Sequence, residues 1–185
     1  MDLWVFAYGS LMWRPNFHFE EKSRSVLEGA HRALCVYSAI HRGVHSAPGL
    51  VLGLDKGGQC EGIAFRVPAR LVSDTRAYLY RRENVTNTYC AAIKPVKLMD
   101  GSHRTVLALC FLVNRRHLQY AGDLPLERQA YLVRRSVGAS GANIDYVMNT
   151  VEHLRELGIH DARLEQLMTV LGHGLVKTKC RGPRG

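Results

Sequence analysis

Two places in this sequence put reactive residue types where chemistry needs them. Val5-Phe6-Ala7-Tyr8-Gly9-Ser10-Leu11 reads as a buried strand running into a Gly-Ser turn. Backbone N–H groups gathered in such a turn can hold an anion or a developing oxyanion. Gly9 is expected to allow close backbone approach and an unusual φ there. Glu83 follows Arg81-Arg82 at the end of a helical stretch. A carboxylate at a helix C-terminus is mildly disfavoured by the helix dipole, a small oddity that would suit a residue placed for function. Each also has an ordinary reading, since Gly-Ser pairs are common in turns and helix-end glutamates are usually solvated.

Other chemistries find less support. Ser10 lies outside a G-x-S-x-G elbow. Nothing marks one of Cys35, Cys60, Cys90, Cys110 and Cys180 as an activated thiol. Their odd number and wide spacing exclude a disulfide framework or CxxC motif, and they are expected mainly as small core residues, with Cys180 exposed. His41 and His45 stand at i, i+4, but Gly43 lies between them and no HExxH or paired Cys accompanies them, so no metal site is expected.

The elements that must position these residues follow from patterning. The chain has 185 residues, 46% hydrophobic and 22% charged, which excludes a disordered or fibrous chain. Strands are expected at residues 3–8, 26–38, 49–54 and 60–67. A helix is expected from Pro68 to about Arg82, burying Leu71, Val72, Tyr78 and Leu79. Residues 89–99 and 103–113 read as a hairpin through Asp100-Gly101. Three helices follow: one opened by Pro125, one with apolar residues at 144, 147, 148, 151 and 154, and a short one carrying Leu164, Leu167, Met168 and Leu171, stopped by Gly172 and Gly174. Strands first and helices later favour an α+β fold with a mainly antiparallel sheet or barrel. One domain is expected over residues 1–176, with 177–185 as a basic flexible tail.

Lys and Arg number 25 against 16 Asp and Glu, a net charge of +9. The excess lies in residues 76–185, with 17 basic and 9 acidic, against 8 and 7 in residues 1–75. No basic stripe interleaved with aromatics appears, so nucleic acid is not expected as a partner, and the field suits a small anionic substrate. No apolar run approaches the roughly 20 residues of a membrane span. The start lacks a signal-peptide pattern, so a cytoplasmic protein, monomer or homodimer, is expected.

Five segments in order resemble the ChaC-like gamma-glutamylcyclotransferase family, which acts on glutathione. They are Val5–Trp13 with its Y-G-S-L sequence, His41-Arg42-Gly43 followed by Pro48-Gly49, Tyr78-Leu79-Tyr80-Arg81-Arg82-Glu83, Tyr120-Ala121-Gly122, and Ser140-Gly141-Ala142-Asn143-Ile144-Asp145-Tyr146. The resemblance implies a mixed β-barrel with surrounding helices. It implies a cofactor-free cyclisation of the gamma-glutamyl arm to 5-oxoproline, with release of cysteinylglycine. It also implies Glu83 as the acid–base residue and Tyr8, Gly9, Ser10, Leu11, Arg42, Arg82 and Tyr146 as substrate-binding residues, with Ser140 and Asn143 as secondary candidates. Arg82 is left open between pairing with a substrate carboxylate and orienting Glu83. Asn84-Val85-Thr86-Asn87 stands where the family commonly has Lys and glycines. Another gamma-glutamyl amino acid or amine therefore remains open as substrate, as does a non-catalytic gamma-glutamyl-binding module.

Overall fold

The computed structural model describes residues 1–83, 87–102 and 104–179, with the backbone alone over 173–179. Five strands, β1 (Leu3–Ala7), β2 (Glu21–Ser38), β3 (Gly49–Val67), β4 (Tyr89–Leu98) and β5 (Thr105–Val113), close a barrel in the order β1-β3-β2-β4-β5. The helices are α1 (Val72–Glu83), α2 (Leu126–Arg135), α3 (Asn143–Glu156) and α4 (Ala162–Lys179), and a short pair, β6 (Val137–Gly138) and β7 (Gly141–Ala142), precedes α3. The chain divides into two compact units, one of residues 1–36 and 52–122, the other of residues 37–51 and 123 onward. No helix among the described residues is long and apolar enough to cross a membrane.

The barrel is antiparallel except where it closes. β1 runs antiparallel to β3, with Val5 opposite Phe65 and Ala7 opposite Ile63, and parallel to β5, with Val5 opposite Leu109. A strand enclosed on both faces reads as an unbroken apolar run, and LWVFA is one. α1 packs on the barrel through Tyr80, 5.8 Å from Phe111 between ring centres, and through Tyr78, which meets Phe17 where Phe17 stands edge-on to Phe65. Leu79 is fully buried.

Glycine signals misplace several boundaries. Residues 49–54 and 60–67 belong to one strand, β3, because Gly57 and Gly58, at φ of 102° and 67°, bend it without ending it. β2 begins at Glu21, ahead of the expected 26. The stretch after Pro68 starts as a 3-10 turn, Ala69–Leu71, and α1 buries Thr75 beside Leu79, while Leu71, Val72 and Tyr78 are half-buried. α4 continues through Gly172 to Lys179, since an interior glycine costs a helix only about 1 kcal/mol. The expected tail boundary at 177 thus falls inside α4, and residues 180–185, with Cys180, lie outside the described residues. The Asp100-Gly101 hairpin forms, with Gly101 at φ 83°, but its second strand starts at Thr105 and His103 lies outside the described residues. Cys35, Cys60 and Cys110 are buried, while Cys90 is exposed.

At Gly62 space itself demands glycine. An added Cβ would lie 2.3 Å from the Ala7 carbonyl oxygen and 2.8 Å from Phe6 Cζ, so β1 sits on β3 only if that position is bare. Gly62→Ala is expected to lower the unfolding free energy by about 1–3 kcal/mol, the usual cost of overpacking, as read by urea denaturation. Wild-type stability in that variant would show that β1 shifts freely.

Candidate active site

The turn after β1 is built from both directions. Leu11 and Met12 are buried and anchor a 3-10 turn, Ser10–Met12, in which Met12 N–H donates to Gly9 O at 2.9 Å and Arg14 N–H to Ser10 O at 2.8 Å. Ser10 and Leu11 stand at its start, where backbone N–H groups have no acceptor within the turn. From the barrel side, the buried Arg32 donates through Nε to Tyr8 O and through Nη2 to Glu61 O, both at 2.6 Å, and so fixes the carbonyl that precedes the turn. Gly9 differs from expectation. Its φ of −136° is negative while its ψ of −138° lies outside the extended region, and an added Cβ would meet only Leu52 Cδ1 at an ordinary 3.6 Å. Protein crowding therefore does not require a glycine there.

The end of α1 brings Glu83 to this turn through Arg82. The guanidinium donates from Nη2 to Ser10 Oγ at 2.7 Å and from Nη1 to the Tyr78 hydroxyl at 2.8 Å. Its Nε lies 3.3 Å from Glu83 Oε1. Tyr78 stands one helical turn earlier on the same face, the spacing at which side chains meet. The Glu83 side chain is only 17% exposed. Burial pushes its carboxyl above the ordinary carboxylate range, and the opposing pull of Arg82 does not cancel this. The first unit therefore assembles Tyr8, Gly9, Ser10, Leu11, Arg82 and Glu83 as one connected group.

Arg42 and Tyr146 belong to the second unit, as do Ser140 and Asn143. Arg42 donates from Nη1 to the carbonyls of Ser140 and Ala142, at 2.5 and 3.4 Å, and its guanidinium lies 5.2 Å from the centre of the Tyr146 ring. His41 Nδ1 is 3.1 Å from Ser140 Oγ. Gly43, Gly49 and Gly138 let the backbones of these segments touch, since a Cβ on any of them would lie within 2.1–2.5 Å of a neighbouring main-chain atom. Asn143 is fully buried, and its amide accepts from Leu50 N–H and donates to Leu50 O, both at 2.7 Å, taking the place of a neighbouring strand. Among the described residues no three His, Cys, Asp or Glu side chains converge as a metal would require.

Sequence reasoning missed Arg32 and Asp55. Arg32 interrupts the alternation of β2 with a charge at a buried position, and that interruption was its signal. Asp55 accepts from Tyr120, a residue of the fourth resembling segment, through a contact 65 residues long.

Residues 3–173 match the ChaC-like protein family. A glutathione-specific gamma-glutamylcyclotransferase of Escherichia coli (strain K12) is 35% identical over 166 residues, covering 90% of this chain and 71% of the relative. One from Schizosaccharomyces pombe (strain 972 / ATCC 24843) is 33% identical over 175 residues, covering 84% of each. The crystal structure of a yeast gamma-glutamyl cyclotransferase specific to glutathione superposes with a TM-score of 0.83 at 20% identity, over 93% of this chain and 96% of that one, which shows a shared fold. The five-stranded barrel fold thus has solved counterparts. The chain belongs to the ChaC-like protein family.

Removing the Asn143 amide would leave the Leu50 N–H and carbonyl buried without partners. Asn143→Ala is expected to destabilise the fold by on the order of 1–3 kcal/mol for each stranded group, measured as a lower urea midpoint. An unchanged midpoint would mean that water or another group replaces the amide.

Proposed function

We propose that the chain is a glutathione-specific gamma-glutamylcyclotransferase with Glu83 as its acid–base residue. The observation that carries this is a buried carboxylate with a raised pKa, held by Arg82 to the loop that bears Ser10 and Leu11. The names of the E. coli and S. pombe relatives support the substrate. The four described cysteines are free thiols, which supports a reducing compartment such as the cytoplasm.

The reaction joins two ends of one molecule. The glutamyl α-amine attacks its own γ-carbonyl, a five-membered lactam closes, and the cysteinylglycine amine departs. Holding the arm curled exploits the high effective molarity of an oriented ring closure. Three charges must still be managed. Glu83, as carboxylate, takes the proton from the α-ammonium. The N–H groups of Ser10 and Leu11 receive the oxyanion that forms at the γ-carbonyl, each such donor being worth roughly 3 kcal/mol in a transition state. Glu83 then returns its proton to the leaving amine and, a carboxylate again, takes the second proton that the attacking nitrogen sheds as the lactam forms, passing it to the cysteinylglycine amine, which departs as an ammonium. A carboxyl with a raised pKa serves both transfers, because it gains the proton readily and still yields it near neutrality. Arg82 acts as a positioning residue: three of its donors are committed to Tyr78, Ser10 and Glu83, so it fixes the base against the loop.

Glu83→Gln is expected to lower 5-oxoproline release from glutathione by about 10² or more. Because the reaction needs the carboxylate, wild-type kcat/KM is expected to rise with pH along an acid limb lying above 4.5, the ordinary Glu value, and that limb should vanish in the Gln variant. Stability moves the other way. A raised folded pKa gives a contribution that is complete below the unfolded pKa and lost as pH rises through the folded one. Glu83→Gln should therefore match or exceed the wild-type Tm at neutral and alkaline pH. Normal turnover by the variant would remove Glu83 from the mechanism.

A further inference from the structure

Apart from Glu83 and its loop, the first unit carries a groove of about 410 Å³ between β3, β4 and the turn after β5. That volume lies in the range that small organic ligands fill. Leu112 and the accessible edge of Val113 give it an apolar wall, with Leu54 buried behind, and Lys56, Arg115 and Arg116 bring three cations to it. Its one carboxylate, Asp55, is already committed. It accepts from Arg115 Nε at 2.6 Å, the Tyr120 hydroxyl at 2.8 Å and Lys56 N–H at 2.8 Å. Burial alone would push the Asp55 carboxyl up, but these donors together outweigh it and hold the group below its ordinary range. Asp55 is thus ionised and its oxygens are occupied by Arg115, Tyr120 and the Lys56 backbone. The side chains of Lys56 and Arg116 have no ion-pair partner among the described residues. Three cations against one anion leave a local charge of +2 in an open groove, which attracts anions.

We propose that this groove is a binding site for a small organic dianion, a molecule with an apolar body and two carboxylates, of about tripeptide size. The apolar wall takes the body, and Lys56 and Arg116 take the carboxylates, while Arg115 stays held by Asp55. Cys90 lines the same groove and is exposed, whereas Cys35, Cys60 and Cys110 are buried and the thiols of Cys35 and Cys110 are pushed up to about 12. Cys90 therefore reports occupancy of the groove from within it.

The test is the rate at which iodoacetamide, a neutral reagent, alkylates Cys90 in the full chain, read at the Cys90 peptide by mass spectrometry. The probe is N-acetyl-S-methylglutathione: its blocked amine cannot cyclise, its blocked sulfur cannot exchange, and its two carboxylates give it a charge of −2. Choosing a peptide probe rests on the proposed activity, but the readout needs no turnover. At ten times its Kd, the probe is expected to slow alkylation about tenfold, and inorganic phosphate at matched ionic strength is expected not to. Lys56→Glu/Arg116→Glu should abolish protection while 5-oxoproline release from glutathione stays at the wild-type level. Lys56→Gln/Arg116→Gln serves if charge reversal prevents folding. Unslowed alkylation in the wild type, or protection that survives in these variants, overturns the site. Equal protection by phosphate overturns the assignment to an organic ligand. A wild-type chain that protects Cys90 yet leaves glutathione intact would sink the proposed activity and leave the groove standing.

Discussion

Burial and a neighbouring guanidinium pull on the Glu83 carboxyl in opposite directions, and burial prevails. A surface glutamate beside an arginine would be an ordinary ion pair, permanently ionised at neutral pH and of little chemical use. Enclosure removes the water that would hold the charge, and the single contact from Arg82 Nε, at 3.3 Å, is too weak to restore it. The same guanidinium satisfies Ser10 and Tyr78 with its other nitrogens, so its charge is shared among three partners. In the proposed mechanism, proton transfer in both directions relies on Arg82 orienting Glu83 without neutralising it. Lysine in that place would supply the charge without the planar fork that spans three acceptors.

The barrel exists in a form that can hold this balance. β1 is five residues long and buried between β3 and β5, so the turn that follows it leaves a rigid support. Gly62 and the Phe6 ring set how closely β1 and β3 approach. α1 is tied to the same barrel by Tyr78, Leu79 and Tyr80, all within the last six residues before its end at Glu83. Loop and carboxylate are thus positioned by separate elements that share one support, and Arg82 bridges them over the last short distance. Arg32 performs a similar service with a buried charge, fastening the main-chain carbonyls of Tyr8 and Glu61.

What was legible in the sequence was what depends on neighbours in the chain. The apolar run of β1, the Gly-Ser turn, the Asp100-Gly101 hairpin and the arginines preceding Glu83 are all local, and all were placed correctly. Boundaries failed where a local signal met a longer-range demand. Gly57-Gly58 looks like a loop but is absorbed as a bend in β3, because both flanking segments pair within one barrel. Gly172 looks like a stop but lies within α4, whose Leu164, Leu167 and Leu171 are buried and hold the helix through it. Arg32 with Tyr8, Asp55 with Tyr120, and Arg82 with Ser10 are separated by 24, 65 and 72 residues. Such pairs depend on strand register and barrel closure, which no window of sequence contains.

The resembling segments also differ in what their polar residues do. Ser10, Arg82 and Glu83 form a connected group that holds a buried carboxyl with a raised pKa. Asn143 and Arg42, from equally suggestive motifs, spend their side-chain donors on main-chain carbonyls of their own unit. A buried amide that reproduces a strand's donor and acceptor is hard to replace, because no other side chain of that length offers both groups in that geometry. The tightly apposed glycines around it, Gly43, Gly49 and Gly138, have the same inflexibility for a different reason, since any side chain would strike backbone. On the proposed mechanism, constraint on a residue type arises from two sources, reactivity in one unit and close main-chain contact in the other. The structure separates them by a simple criterion: a group built for chemistry keeps an ionisable atom under tension between burial and charge, and a group built for architecture has its polar atoms satisfied by neutral backbone.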